Sequence, residues 1–121
     1  MDRASLQISD LLPLKHDVFT ILLVLLDGDA HGYAMMKAAE DRTGRPGQLQ
    51  PGALYRLLRQ MLETELVMEV AAQDAGGGDS RRRYYRITDF GRTVAAAEAR
   101  RMAELVETSR RLDLLGEAET T

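Results

Sequence analysis

Pro51-Gly52-Ala53-Leu54-Tyr55-Arg56-Leu57-Leu58-Arg59-Gln60-Met61-Leu62-Glu63-Thr64-Glu65-Leu66 is the stretch that decides the fold. Pro51 suits a first helical position, because the N–H that proline lacks would be unpaired there anyway. Leu54, Leu57, Leu58, Met61, Leu62 and Leu66 then recur at i, i+3, i+4, i+7, i+8 and i+12, an amphipathic helical stripe with nearly every slot filled. At about 100° per residue, Gly52, Arg56 and Arg59 fall on the opposite side, with Tyr55 flanking them. Glu63 shares that outward face only near its C-terminal end. The N-terminal half of the face is therefore basic, and the glycine allows close approach.

Working back from this helix, Thr43 to Gly47 reads as a turn, and about Gly32 to Arg42 as a short Ala/Met-rich helix. Leu14 to about Gly28 reads as a further helix, with Leu14, Val18, Ile21, Leu22, Leu25 and Leu26 at helical spacing. Its run from Ile21 to Leu26 is apolar all round, which predicts the central helix of the fold. Gly28 is expected as its left-handed cap. Working forward, Val67 to Gln73 reads as a strand, Asp74 to Ser80 as a glycine-rich mobile loop, and Arg82 to Ile87 as a second strand, together a hairpin. Thr88 is a fair N-cap and Asp89 suits the positive end of a last helix running to about Leu115. The chain thus divides into an N-terminal arm (1–13), a compact domain (14–87), a long helix (88–115) and a disordered tail (116–121). Val94, Met102, Leu105, Val106 and Leu112 lie roughly along one side of the long helix. An apolar stripe on such a projection needs a partner, and the simplest is a second copy of the chain.

With 121 residues, 45% hydrophobic and 29% charged, the composition fits one globular domain. Cysteine is absent, which removes disulfides, thiolate zinc sites and thiol catalysis. The longest uncharged apolar stretch, Val18 to Leu26, falls short of the roughly 20 residues that cross a bilayer. The N-terminus shows no basic start and no apolar run, so a cytoplasmic protein is expected. No serine–histidine–acid arrangement, phosphate loop or zinc motif is present, so no enzyme is predicted. His16 and Asp17 are adjacent, and neighbours on a helix do not face each other. Asp27, Asp29 and His31 lack metal-ligand geometry. No metal and no cofactor are expected.

The net charge of −3 argues against a polyanionic partner, but its distribution argues the other way. Arg81, Arg82, Arg83 and Arg86 crowd into six residues after the glycine loop, and Arg42 and Arg45 lie ahead of the basic helix. Acids concentrate in the C-terminal quarter, at Glu98, Glu104, Glu107, Asp113, Glu117 and Glu119. The local field matters more than the total when a polyanion approaches.

Three helices followed by a hairpin describe a winged helix-turn-helix, mainly α with a small β component. In that arrangement the third helix enters the major groove and the wing lies against the backbone. Gln50, Gly52, Ala53, Arg56 and Arg59 are then the candidates for reading bases. His31, Tyr33, Tyr55, Arg81, Arg82, Arg83 and Tyr84 are the candidates for backbone contact. Blander roles compete. His31 could equally satisfy a local turn, and Tyr33 and Tyr55 are expected to serve the fold mainly, by packing their rings. Along the second wing strand, Tyr85 shares a side with Ile87 and is expected in the core, whereas Tyr84 is expected to be exposed beside Arg82 and Arg86. Met35, Met36, Met61, Met68 and Met102 are expected to fill core rather than line a cavity. A dimeric winged-helix module that docks protein, without specific DNA binding, is the alternative that the acidic total slightly favours.

Three segments also carry a family resemblance: Leu26-Asp27-Gly28-Asp29-Ala30-His31-Gly32-Tyr33, Pro51-Gly52-Ala53-Leu54-Tyr55-Arg56-Leu57-Leu58, and Arg82-Arg83-Tyr84-Tyr85-Arg86-Ile87-Thr88-Asp89-Phe90-Gly91. In this order and spacing the chain resembles the PadR-like transcriptional regulators over about residues 12–92. The resemblance implies a winged helix-turn-helix and a homodimer built through the C-terminal helix. It further implies a repressor of a nearby operon, often relieved by a small aromatic or drug-like compound. The single short C-terminal helix is similar to the smaller subgroup. Gln50 stands where the family usually has a small hydroxyl residue, and Ala53 where it often has Thr or Ser. Glu65 replaces a usual glycine at the helix end, although glutamate disfavours the left-handed conformation. There is no tryptophan with which to sandwich a flat ligand.

Overall fold

A computed structural model describes residues 8–44, 49–75 and 81–116. Helix α1 (His16–Leu26) buries Val18, Thr20, Ile21, Leu22, Val24 and Leu25, and is the central helix that its all-round apolar run predicts. The Thr20 hydroxyl donates to the His16 carbonyl at 2.9 Å, which satisfies the buried polar group. The helix is shorter than expected. It stops at Asp27, and Gly28, at φ 147°, turns the chain one residue later.

The next segment departs from the expected helix-to-helix turn. Ala30–His31 is a two-residue strand, β1, too short to carry any periodicity. Helix α2 (Gly32–Thr43) follows directly and ends on Gly44 in the left-handed conformation, φ 69°. Helix α3 (Pro51–Glu63) has Pro51 in its first turn and buries Leu54, Leu58 and Met61. Strands β2 (Val67–Val70) and β3 (Tyr84–Ile87) are shorter than expected, and a 3-10 turn, Ala72–Ala75, follows β2. The sheet has three strands rather than two. It is antiparallel in the order β1-β3-β2, with Val67 opposite Ile87 and His31 opposite Tyr84. Helix α4 (Asp89–Arg111) completes the described chain. The glycines of the wing loop, Arg45 and the tail beyond Gly116 lie outside the described residues.

Ile21, Leu22, Leu25, Met35, Leu54, Leu58, Met61 and Val94 form the fully buried centre. Each such side chain contributes roughly 1.5–3 kcal/mol. Val94 therefore belongs to the intramolecular core, not to a dimer face. It sits in the part of α4 that packs on α1, where the apolar stripe has a partner in the same chain. Met35 and Met61 fill core as expected, but Met68 and Met102 are exposed.

Two junctions fix the wing between α3 and α4. The end of α3 is a Schellman motif: the Leu66 N–H donates to Met61 O at 2.9 Å and the Glu65 N–H to Leu62 O at 3.1 Å. Glu65 takes φ 64° there, so the left-handed turn is kept despite the missing glycine. Thr88 caps α4, its hydroxyl accepting from the Gly91 N–H at 2.8 Å and donating to the Glu65 carbonyl at 2.6 Å. A Cβ on Gly91 would lie 2.2 Å from the Leu66 carbonyl oxygen, so glycine is required at that crossing.

Candidate nucleic-acid interface

The register of β1 against β3 sets His31 beside Tyr84, and their rings meet edge to face at 5.3 Å. Tyr84 is consequently only 7% exposed. This corrects its expected place as an outward contact. Strand alternation puts Tyr84 and Tyr85 on opposite faces, but β3 is the central strand and both faces are covered. Burial, reinforced by the Glu69 carboxylate and offset by Arg83, pushes the Tyr85 phenol above its ordinary range. Tyr85 therefore stays neutral and serves the core.

His31 is the N-cap of α2, its Nδ1 accepting from the Ala34 N–H at 3.2 Å. Its other face meets the wing: Arg82 Nη1 lies 2.8 Å from Nε2. Around it His31, Gly32, Tyr33, Tyr55, Arg81, Arg82 and Arg83 line a hollow of about 370 Å³. Elements far apart in the chain meet here, namely the start of α2, the flank of α3 and the base of the wing. Gly32 leaves room for Tyr55 in this position: a Cβ there would lie 2.6 Å from the Tyr55 hydroxyl, and the ring would have to shift. Tyr33, expected to pack its ring, is instead 60% exposed at the rim, and Tyr55 is half exposed. Arg83 is 74% exposed and reaches Glu69 only at 3.9 Å. So long and exposed a pair adds little, and Arg83 also hydrogen-bonds the Tyr85 side chain.

Arg56 and Arg59 stand exposed on the outward face of α3, and neither side chain makes an ion pair or hydrogen bond among the described residues. Arg56 borders a different hollow from the wing arginines, on the other flank of α3 with Lys15, Asp17, Ala53, Leu57 and Gln60. Gln50 is the N-cap position of α3 and is exposed, as is Gly52 in its first turn. Ala53 is half-buried, on the flank toward α1.

Two arginines of the expected basic surface are engaged elsewhere. Arg86 grips the Asp29 carboxylate with Nε at 3.1 Å and Nη2 at 2.8 Å, a two-pronged pair across neighbouring strand positions. Arg42 pairs with Asp27. Both acids flank Gly28, so this loop draws arginines away from the outward face. The missed strand β1 hid the first pairing: only its register sets position 29 opposite position 86.

Lys15 was not singled out by sequence, and its place beside Arg56 depends on how the start of α1 crosses α3. Met102, Leu105, Val106 and Leu112 are exposed along the distal half of α4. Among the described residues no His/Cys/Asp/Glu group has metal-holding geometry, and no helix is long and apolar enough to cross a membrane.

The described geometry has close counterparts. An uncharacterised protein from Lysinibacillus sphaericus is 32% identical over 87 residues, covering 72% of this chain and 78% of the relative. A PadR family transcription regulator from Clostridium difficile R20291 superposes with a TM-score of 0.65 at 21% identity, over 81% of this chain and 98% of its own. A transcriptional regulator from Clostridium thermocellum gives the same TM-score and identity, over 79% and 88%. The model of the family described as transcriptional regulator PadR-like matches residues 21–97, well over half of the chain. These residues include the α2 start, all of α3 and the wing, so the chain belongs to the PadR-like family of transcriptional regulators.

Proposed function

We propose that this regulator binds a specific duplex sequence as a homodimer and represses transcription, with a small aromatic or drug-like effector relieving it. The observation that carries DNA binding is the meeting of the wing arginines, the α2 start and Tyr55 in one cationic hollow beside α3. A helix lying in a major groove has a phosphate strand along its flank, and that is where this hollow lies. Arg81, Arg82 and Arg83, with His31, Tyr33 and Tyr55, are assigned to the backbone. Such contacts supply affinity and salt dependence without sequence choice. Gln50, Gly52, Ala53, Arg56 and Arg59 are assigned to the bases, and an arginine donating to a guanine edge gives ~1–3 kcal/mol of discrimination.

Homodimerisation is proposed on the exposed apolar residues of distal α4, where Leu105 is 55% and Leu112 67% exposed. Effector control rests on the family membership. The test is duplex binding by fluorescence anisotropy across a salt series, with the protein's own upstream DNA and a scrambled duplex. The expected result is a steep loss of affinity with salt, about 0.9 in log–log slope per phosphate neutralised, and a preference for the upstream DNA. Arg56→Ala should erase much of that preference, whereas Arg82→Ala should weaken both duplexes alike. No binding to either duplex at low salt would overturn the reading in favour of a protein-docking module.

A further inference from the structure

We propose that Lys15 is a second backbone anchor, seating a phosphate of the strand across the major groove from the strand that the wing holds. The proposal rests on the DNA-binding reading of α3. It starts from an asymmetry that this reading leaves open. A helix in the major groove runs between two sugar–phosphate strands, one on each side of a groove about 12 Å wide. The wing hollow, with its three arginines, serves one flank of α3. On the other flank α3 presents Ala53, Arg56, Leu57 and Gln60, and the wall facing them is the start of α1 with Lys15 and Asp17.

The hollow between them measures about 240 Å³. Its lining holds two cations, Lys15 and Arg56, against one carboxylate, Asp17, so it retains net positive charge. Lys15 is exposed, and its side chain makes no hydrogen bond or ion pair among the described residues. An unengaged ammonium on a flexible stem loses little on meeting a phosphate and suits it as a point charge. Arg56 lies on the outward face of α3 and is left for base edges, whereas Lys15 belongs to the facing wall of the hollow, off α3 itself. Anchors on both flanks would fix the tilt of α3 in the groove, which one flank alone leaves free.

The experiment measures affinity against salt for the intact protein and its Lys15→Gln and Lys15→Arg variants on the upstream duplex. Lys15→Gln should lower the log–log slope by about 0.9 and weaken binding roughly five- to tenfold at 0.1 M salt, equally on scrambled duplex. Lys15→Arg should restore the slope. The melting temperature should not move in either variant, since the side chain supports no packing. Phosphate-ethylation interference should lose one position with Lys15→Gln, on the strand opposite the positions lost with Arg82→Gln. An unchanged slope in Lys15→Gln, or a lost position on the same strand as the wing's, overturns the proposal while leaving DNA binding intact. Failure of the intact protein to bind any duplex would instead sink the reading beneath it.

Discussion

Glu65 and Gly91 stand on either side of the wing and show two opposite ways in which one residue meets a backbone constraint. Glu65 holds φ 64° because the Schellman bonds and the Thr88 hydroxyl at its carbonyl over-determine the turn. The left-handed conformation costs a residue with a Cβ about 1–2 kcal/mol, and glycine offsets part of that gain through its freer unfolded chain. Glu65→Gly should therefore stabilise the protein by about 0.5–1 kcal/mol, seen as a rise of roughly 3 °C in thermal unfolding. Gly91 has no such latitude, because its neighbour is the Leu66 backbone oxygen rather than a flexible side-chain tip. Gly91→Ala should cost about 2–3 kcal/mol, and circular dichroism should show melting about 10 °C lower. Only the first effect was half visible in the sequence. The family's missing glycine at 65 marked the position, but only the observed φ shows that the turn survives without it.

At the scale of elements, α4 does two jobs that its sequence pattern merged into one. Its first half is core: Val94 and Ala95 are buried, and so is the carboxylate of Glu98. Glu98 accepts Arg101 Nε at 2.8 Å and Nη2 at 2.7 Å, and takes the backbone N–H of Leu14 as well. It thereby ties the segment leading into α1 to α4. The Arg101 hydrogen bonds, which outweigh the cost of burial, hold the Glu98 carboxyl below its ordinary value. The folded state therefore prefers the ionised form. The stability this contributes is fully present above the unfolded carboxyl's range, near 4.5, and is lost as pH falls through the lower folded value. Glu98→Gln should flatten the acid limb of the stability–pH profile below about pH 4.5 and lower stability at neutral pH, as urea unfolding between pH 3 and 7 would register. Charge counting along the sequence only placed Glu98 among the acids of the C-terminal quarter. Burial by a segment 84 positions earlier in the chain leaves no local signature.

For the whole molecule, the distal half of α4 projects apolar side chains that nothing in the same chain covers among the described residues. If the proposed homodimer forms there, a charge at its centre breaks it. Leu105→Glu should sediment as a monomer at micromolar concentration while retaining its α-helical circular dichroism. Its affinity for a two-half-site duplex should fall at least about tenfold, since the second half-site is then no longer delivered at high effective concentration. Binding to a single half-site should change little. Unaltered sedimentation would move the dimer contact elsewhere on the surface.

The fold class was legible in the chain because periodicity is a local property: the filled stripe of α3, the apolar run of α1 and the glycine-rich wing are each decided within a dozen residues. The candidate base-reading face was legible for the same reason, since helical spacing alone sets Gly52, Arg56 and Arg59 together. What tertiary structure decided was pairing between distant segments. The two-residue β1 has no period of its own, yet it buries Tyr84 against His31 and turns Arg86 onto Asp29. The placement of the start of α1 against α3 likewise sets Lys15 and Arg56 on one hollow. Which arginines stay available, and which are held by carboxylates of the same chain, follows from strand register and helix crossing, and neither is written in the spacing of residues along one element.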